Sequence, residues 1–232
     1  MSTYTAGKLV SLNVGMPKPL AHRGKTVPSG IFKTPVEGPL RIDWTKLEGD
    51  AQADLVAHGG PNRRVYVHPL ENYPYWEGRI GRPLDGYGAF GENFTTTGLV
   101  EEEVVIGDVY RVGTSLLQVS QPRTPCFKLA ARYEVKDLAG WFAQTGLTGF
   151  YLRLLGPGEF RAGDDVELLD RPSHGVTVLE TNRLMYRDRH DMAGLERVLA
   201  APEMSGPWLE TFGERLAEAS QKPPERQQSV SS

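Results

Sequence analysis

"GDVYRVGTSLLQVSQPRTPCFKLAARY" occupies residues 107–133. Its first half reads as a β-hairpin. Val109 and Arg111 alternate along the first arm, Gly113-Thr114 supplies the turn, and Leu117 and Val119 continue the second arm. Its second half changes character. Pro122 and Pro125 stiffen the approach to Cys126, and CFKLAARYEVKDLAGWFAQTG then reads as one longer helical piece.

The strand texture continues on both sides of this hairpin. GKLVSLNVG (7–15) reads as a strand, and GIFKTPVEGPLRI (30–42) as two short strands around a turn. VYVHP (65–69) is a strand stopped by Pro69; FYLRLL (150–155) and DVELLD (165–170) are two more, joined by glycines. NYPYWEGR (72–79) is a short helix. The 26 glycines and 17 prolines fall mostly before residue 165, as expected of short strands joined by tight turns. Many short strands without repeated strand–helix alternation predict a closed or semi-closed β-barrel and argue against a dinucleotide fold.

Beyond about residue 172 the pattern turns helical. Thr177-x-x-Glu180 fits a capping box ahead of TVLETNRLMYRDR. Asp191 is placed to cap MAGLERVLAA, whose Met192, Leu195, Val198 and Leu199 share a face. Ser205 or Pro207 opens a third helix, with Trp208, Phe212 and Leu216 at i, i+4 and i+8. Helices of about ten residues do not persist alone in water, so the three are expected to form a compact docked unit. The predicted organisation is a barrel domain over 1–172, a three-helix domain over 173–219 and a polar, disordered tail over 220–232.

The formal charge of −3 and a pI of about 6.0 argue against a wholly basic nucleic-acid binder, and no stable nucleic-acid partner is expected. No apolar run approaches the roughly 20 residues that cross a bilayer. The N-terminal residues lack the charged start and long apolar stretch of a signal peptide. The single cysteine forms neither an intrachain disulfide nor a multi-thiolate zinc site. A cytoplasmic location and no membrane partner are expected.

Cys126 is the first candidate for chemistry. Arg123, Lys128, Arg132 and Arg111 surround it in sequence, and cations beside a thiol at a helix start favour its thiolate, a nucleophile and soft metal ligand. The opposing reading is an inert, buried cysteine. In DLVAHGGPNRRVYVHP (54–69), Gly59 and Gly60 permit an unusual backbone turn, and Arg63 and Arg64 suit an anion; a solvated hairpin with charged tips is the alternative. Asn93, in GAFGENFTTTGL (88–99), carries the donors and acceptor to read a heterocycle edge, or serves a turn. Lys33 is the one cation of SGIFKTPVEGP (29–39), where a plain surface lysine is the commoner outcome. No Rossmann, Walker, GxSxG or HExxH motif is present.

These segments, in this order and with the cysteine in PRTPCFKLAARY, resemble the MOSC family, named after the C-terminal part of molybdenum cofactor sulfurase. Within it they resemble the bacterial YiiM-like subgroup, which carries a C-terminal three-helix domain; TNRLMYRDR (181–189) matches there. The resemblance covers nearly the whole chain apart from the tail. It implies a mainly β fold, a MOSC-type β-barrel with peripheral helices plus the small helical domain. It implies a molybdenum cofactor of molybdopterin type, with Cys126 facing or ligating the metal. His58, Gly59, Gly60, Lys33, Asn93, Arg123 and Lys128 are then pocket candidates. The implied activity is reduction of N-hydroxylated bases such as 6-hydroxylaminopurine, R–NHOH plus two electrons and two protons giving R–NH₂ and water. His58 is a candidate proton donor, since an imidazole titrates near neutrality, or it serves only to shape the pocket. Relatives usually read GGPDKAV where this chain reads Gly59-Gly60-Pro61-Asn62-Arg63-Arg64-Val65, which makes the loop more basic and changes its hydrogen-bond geometry.

The chain has no flavin or dinucleotide signature and too few cysteines for an iron–sulfur cluster, so an external electron-donor protein or reductase is implied. The three-helix domain is placed to dock that donor, to pair two chains as a homodimer, or to cover the barrel. Two other functions remain open: a cofactor carrier or sulfur-transfer protein without reductase turnover, and a metal-free thiol protein, for which a resolving cysteine is missing.

Overall fold

A computed structural model describes residues 4–53 and 60–221. Twelve strands run in chain order through the described residues: β1 Tyr4–Val14, β2 Lys18–His22, β3 Lys25–Ser29, β4 Thr34–Pro35, β5 Leu40–Ile42, β6 Val65–Pro69, β7 Phe94–Thr97, β8 Val109–Val112, β9 Ser115–Pro122, β10 Phe150–Gly156, β11 Gly158–Phe160 and β12 Asp165–Asp170. Six α-helices accompany them: α1 Tyr73–Ile80, α2 Phe127–Tyr133, α3 Leu138–Thr145, α4 Val178–Tyr186, α5 Met192–Leu199 and α6 Gly206–Gln221.

Seven of the strands close on themselves in the order β1, β12, β8, β9, β10, β6, β7, with β7 returning to β1. All neighbours are antiparallel except β6 and β7. Closure removes the exposed edges that an open sheet presents. β1 makes it possible because it is long enough to pair β12 through its first half and β7 through its second. Gly7 sits at the first bulge, where an added Cβ would lie 2.0 Å from the Thr97 carbonyl oxygen. The predicted hairpin at 107–122 forms as β8 and β9 around Gly113-Thr114.

The barrel interior is filled by Leu9, Leu12, Val65, Val67, Leu117, Val119, Phe150 and their neighbours. The same buried cluster runs on through Val178, Leu184, Leu195, Val198, Trp208 and Phe212 of the C-terminal helices. Those helices therefore share the barrel's core, and Trp208 and Phe212, at 4% and 0% exposed, are packing residues rather than an open interface. The helix starts follow the sequence. Thr177 Oγ1 accepts from the Glu180 amide at 3.1 Å and Asp191 Oδ1 from the Gly194 amide at 3.0 Å. Glu180 does not complete a capping box; its carboxylate takes the Arg197 guanidinium instead. α6 is longer than expected, 16 residues, and runs past Ser220 to Gln221. The rest of the expected tail, 222–232, lies outside the described residues.

A second cluster lies beside the barrel. Trp76 of α1 stacks on Phe142 of α3 with centroids 3.9 Å apart, and Phe90, Leu129, Tyr133 and Leu138 complete it. Its formation explains a departure from the sequence reading. The single long helix expected after Cys126 is two helices, broken where Glu134 takes a left-handed backbone (φ 57°) and its amide returns to the Ala130 carbonyl. Only a reversal there brings Leu129 and Tyr133 of α2 into one cluster with Leu138 and Phe142 of α3. Burying aromatic side chains of this size at roughly 25 cal/mol per Å² outweighs the local cost of the turn. Among the described residues, no helix is long and apolar enough to cross a membrane.

Candidate functional site

Between the barrel and the second cluster opens a cleft with a cavity of about 90 Å³. Its walls come from segments far apart in sequence: the residues after β3, the loop before β6, the GAFGEN loop, the end of β9 and the start of α2. Lys33, Arg63, Asn93, Arg123, Cys126 and Lys128, all singled out from sequence, line it together. His58 and Gly59 lie outside the described residues. Gly60 is exposed and does not line the cavity, but its φ of 101° requires glycine at the turn that sends Arg63 inward.

Arg64 faces the other way. Its guanidinium donates to the backbone carbonyls of Trp44 and Thr45 and pins that loop. The basic residues flanking Cys126 also separate. Arg132 donates to the carbonyls of Ile31 and Gly88 at 2.6 and 3.1 Å, and Arg111 pairs with Glu167 on the barrel exterior. Arg123 and Lys128 are the two that reach the cavity.

Cys126 is the residue immediately before α2, with extended backbone (φ −136°, ψ 164°), and its thiol does not cap the helix. The preceding turn is held by the Arg123 amide, which donates to Gly149 O at 3.0 Å. α4 packs against β9, the strand that leads into it.

Arg123 is 5% exposed and lies over the rings of Tyr66 and Phe142, 5.2 and 5.8 Å from their centroids. Burial works against its charge, but the neighbouring Tyr66, Cys126 and Tyr151 outweigh it and hold its pKa above the usual value. Among the described residues its Nη1 has no hydrogen-bond partner. A buried guanidinium nitrogen without an acceptor is costly, and a ligand oxygen would relieve it.

Lys33 is nearly buried and matched by Asp50, a residue that sequence reasoning passed over. One Asp50 oxygen takes the Lys33 ammonium and the Gly15 amide; the other takes Asn93 Nδ2 at 3.0 Å. Burial lowers the Lys33 pKa while Asp50 pulls it back. The Asn93 amide is committed as well, since its Oδ1 accepts from the Tyr66 amide at 3.1 Å and Nδ2 also reaches the Asn13 carbonyl at 3.3 Å. Asn93 therefore braces the cavity floor rather than offering a free heterocycle-reading edge. Among the described lining residues, four cations face one carboxylate, and the cavity is basic in a chain of net charge −3.

Two buried groups stand behind these walls. Glu92 gathers the Gly88 and Phe90 amides and the Tyr73 and Thr95 hydroxyls, fixing the GAFGEN loop; burial raises its pKa. His68 meets Tyr66 Oη through Nδ1 at 3.1 Å, and burial, with Arg123 nearby, lowers its pKa to about 3. It is neutral at any ordinary pH. Among the described residues no three His, Cys, Asp or Glu side chains gather as a metal cluster.

Comparison with known proteins adds the following. The MOSC domain family matches residues 54–167, and the YiiM-like, 3-alpha helix domain matches residues 176–219. The Bacillus subtilis protein YflK is 45% identical over 88% of this chain and 92% of its own length. A protein of Gibberella moniliformis named a reductase is 35% identical over 94% of this chain, which spans 39% of that longer protein. The crystal structure of YiiM from Geobacillus stearothermophilus superposes with a TM-score of 0.76 at 38% identity, covering 90% of this chain and 99% of that one.

Proposed function

Since this chain belongs to the MOSC domain family and carries a YiiM-like three-helix domain, we propose that it is a molybdenum-cofactor-dependent reductase of N-hydroxylated bases and related hydroxylamines. One observation carries the reading. A single thiol, Cys126, shares a cavity with a buried guanidinium, Arg123, whose Nη1 lacks a partner among the described residues. That pairing suits a ligand with a soft metal at one end and an anion at the other.

The residues present fit a molybdopterin-type group. Arg123, Arg63 and Lys128 would hold the phosphate, and Phe90, Tyr66 and Tyr151 give the walls the aromatic surface a flat heterocycle needs. Cys126 would be the protein's ligand to the metal. When bound, the cofactor supplies two-electron oxygen-atom chemistry. The protein's own contribution is to position it, exclude water and keep cations near the anionic end. Asp50 pairs with Lys33 despite its burial, so that wall stays polar. His58 remains the proposed proton donor. The stoichiometry is R–NHOH plus two electrons and two protons to R–NH₂ and water, with an external protein as electron source. The relative named a reductase supports this class of activity. A cytoplasmic location suits a lone thiol kept reduced.

The test is conversion of 6-hydroxylaminopurine to adenine by the cofactor-loaded protein with dithionite-reduced methyl viologen. Turnover that disappears in Cys126→Ala supports the reading. Stoichiometric cofactor without turnover would replace it with the carrier or sulfur-transfer reading.

A further inference from the structure

The charges of this acidic chain are unevenly spread. Residues 1–36 contain five lysines and arginines and no aspartate or glutamate, and residues 109–133 contain four and again no acid. The fold brings parts of both together. β2 and β3 form a separate two-stranded hairpin outside the barrel. β2 packs against α2, and His22 lies on the Phe127 ring with centroids 4.5 Å apart. Phe127 follows Cys126 directly and is 42% exposed; Met16, at the foot of the hairpin, is 61% exposed. The hairpin itself carries Lys18, Arg23 and Lys25, all exposed, and half-buried Lys128 follows Phe127 on α2. Arg23 and Gly24 hold a left-handed turn (φ 50° and 73°) that presents the hairpin tip.

The tip cannot serve the cavity's own ligand. Ser29 at the hairpin base lines the cavity, and Lys25 is four residues further out, about 13 Å at the rise of a strand. An exposed apolar contact beside Cys126, on a hairpin whose exposed cations reach beyond a small molecule, is the form expected of a transient protein-docking surface. We propose that the β2–β3 hairpin and the N-terminal turn of α2 form the docking surface for an acidic electron-transfer protein, which delivers the two electrons of the reduction beside Cys126. This rests on the reductase reading. The hairpin's cations steer the donor's acidic surface, and Phe127 and Met16 make the short-range contact.

The experiment compares two electron sources on the cofactor-loaded full chain. One is reduced flavodoxin, an acidic protein; the other is dithionite-reduced methyl viologen, a small cation that needs no docking. The variant carries Lys18→Glu, Arg23→Asn and Lys25→Glu; asparagine tolerates the left-handed position. A second variant, Lys18→Gln with Lys25→Gln, guards against misfolding. With flavodoxin, kcat/KM is expected to fall roughly tenfold in the first variant and less in the second. With methyl viologen both stay within about twofold of wild type, the scale of change expected when only steering charges are altered. The wild-type flavodoxin rate is expected to drop as salt rises from about 50 to about 300 mM, as screening shortens the reach of surface charge. Unchanged flavodoxin kinetics in the variants overturn the proposal, as does a wild-type protein that uses viologen but not flavodoxin. Hairpin-dependent retention of a single-stranded oligonucleotide, with flavodoxin unaffected, would overturn it in favour of a nucleic-acid surface. Wild-type protein inactive even with viologen would instead sink the reductase reading on which it rests.

Discussion

Asp50 receives the ammonium of Lys33 on one carboxylate oxygen while its other oxygen receives the Asn93 amide. Both members of the ion pair are nearly buried, with side chains 7% and 8% exposed. Removing one partner leaves the other charged in a poor solvent. Lys33→Met should therefore destabilise the protein by about 3–5 kcal/mol, while Lys33→Met with Asp50→Asn should recover much of that loss. Chemical denaturation of the two variants checks this; equal losses would show that the pairing is not what makes the lysine tolerable.

Arg123 has the opposite character. Its Nη1 finds no acceptor among the described residues, and two aromatic rings lie against it. Arg123→Met should leave the melting temperature of the cofactor-free protein unchanged or higher, yet lower pterin retained through gel filtration by at least about tenfold, the cost of a lost charge-assisted contact. Normal retention would remove Arg123 as an anchor.

Glu101 is buried, accepts from Asn72 Nδ2 at 2.9 Å and the Gly149 amide at 2.6 Å, and is pushed by burial to a pKa of about 7. A carboxyl raised on folding stabilises most while protonated. That contribution is intact below its unfolded pKa of about 4.5 and is lost as pH rises toward 7, by roughly 3 kcal/mol in total. Stability curves of wild type and Glu101→Gln from pH 4.5 to 8 should diverge in the variant's favour as pH increases. Parallel curves would show that Glu101 does not titrate in this window.

Trp208 and Phe212 belong to the core cluster that begins inside the barrel. Trp208→Ala should cost about 3–5 kcal/mol and lower one cooperative transition. Separate melting of the helices, seen as a second calorimetric peak, would show them to be an independent domain.

The barrel was legible because its strands alternate and its turns are marked by glycine. VYVHP at 65–69 and the hairpin at 107–122 appear at the expected residues. The break after Tyr133 was not legible, because nothing local in Glu134 announces a left-handed turn; the aromatic cluster imposes it. The cavity was legible through its cations and thiol. Asp50, Tyr66 and Tyr151 were missed for a common reason: each reaches the site only through tertiary closure. Asp50 stands 43 residues before Asn93 and looks locally like an ordinary loop acid. Arg63 and Arg64 are adjacent in sequence, yet the turn after Gly60 sends one inward and the other to the Trp44 loop.

The most direct test of the account is molybdenum and released pterin, quantified together on protein from a host that makes the cofactor, for wild type and Cys126→Ala. The prediction is near-equimolar metal and pterin per wild-type chain, with molybdenum lost in the variant while its circular dichroism and melting are preserved. Folded wild-type protein that holds neither, with the cofactor in ample supply, would contradict it.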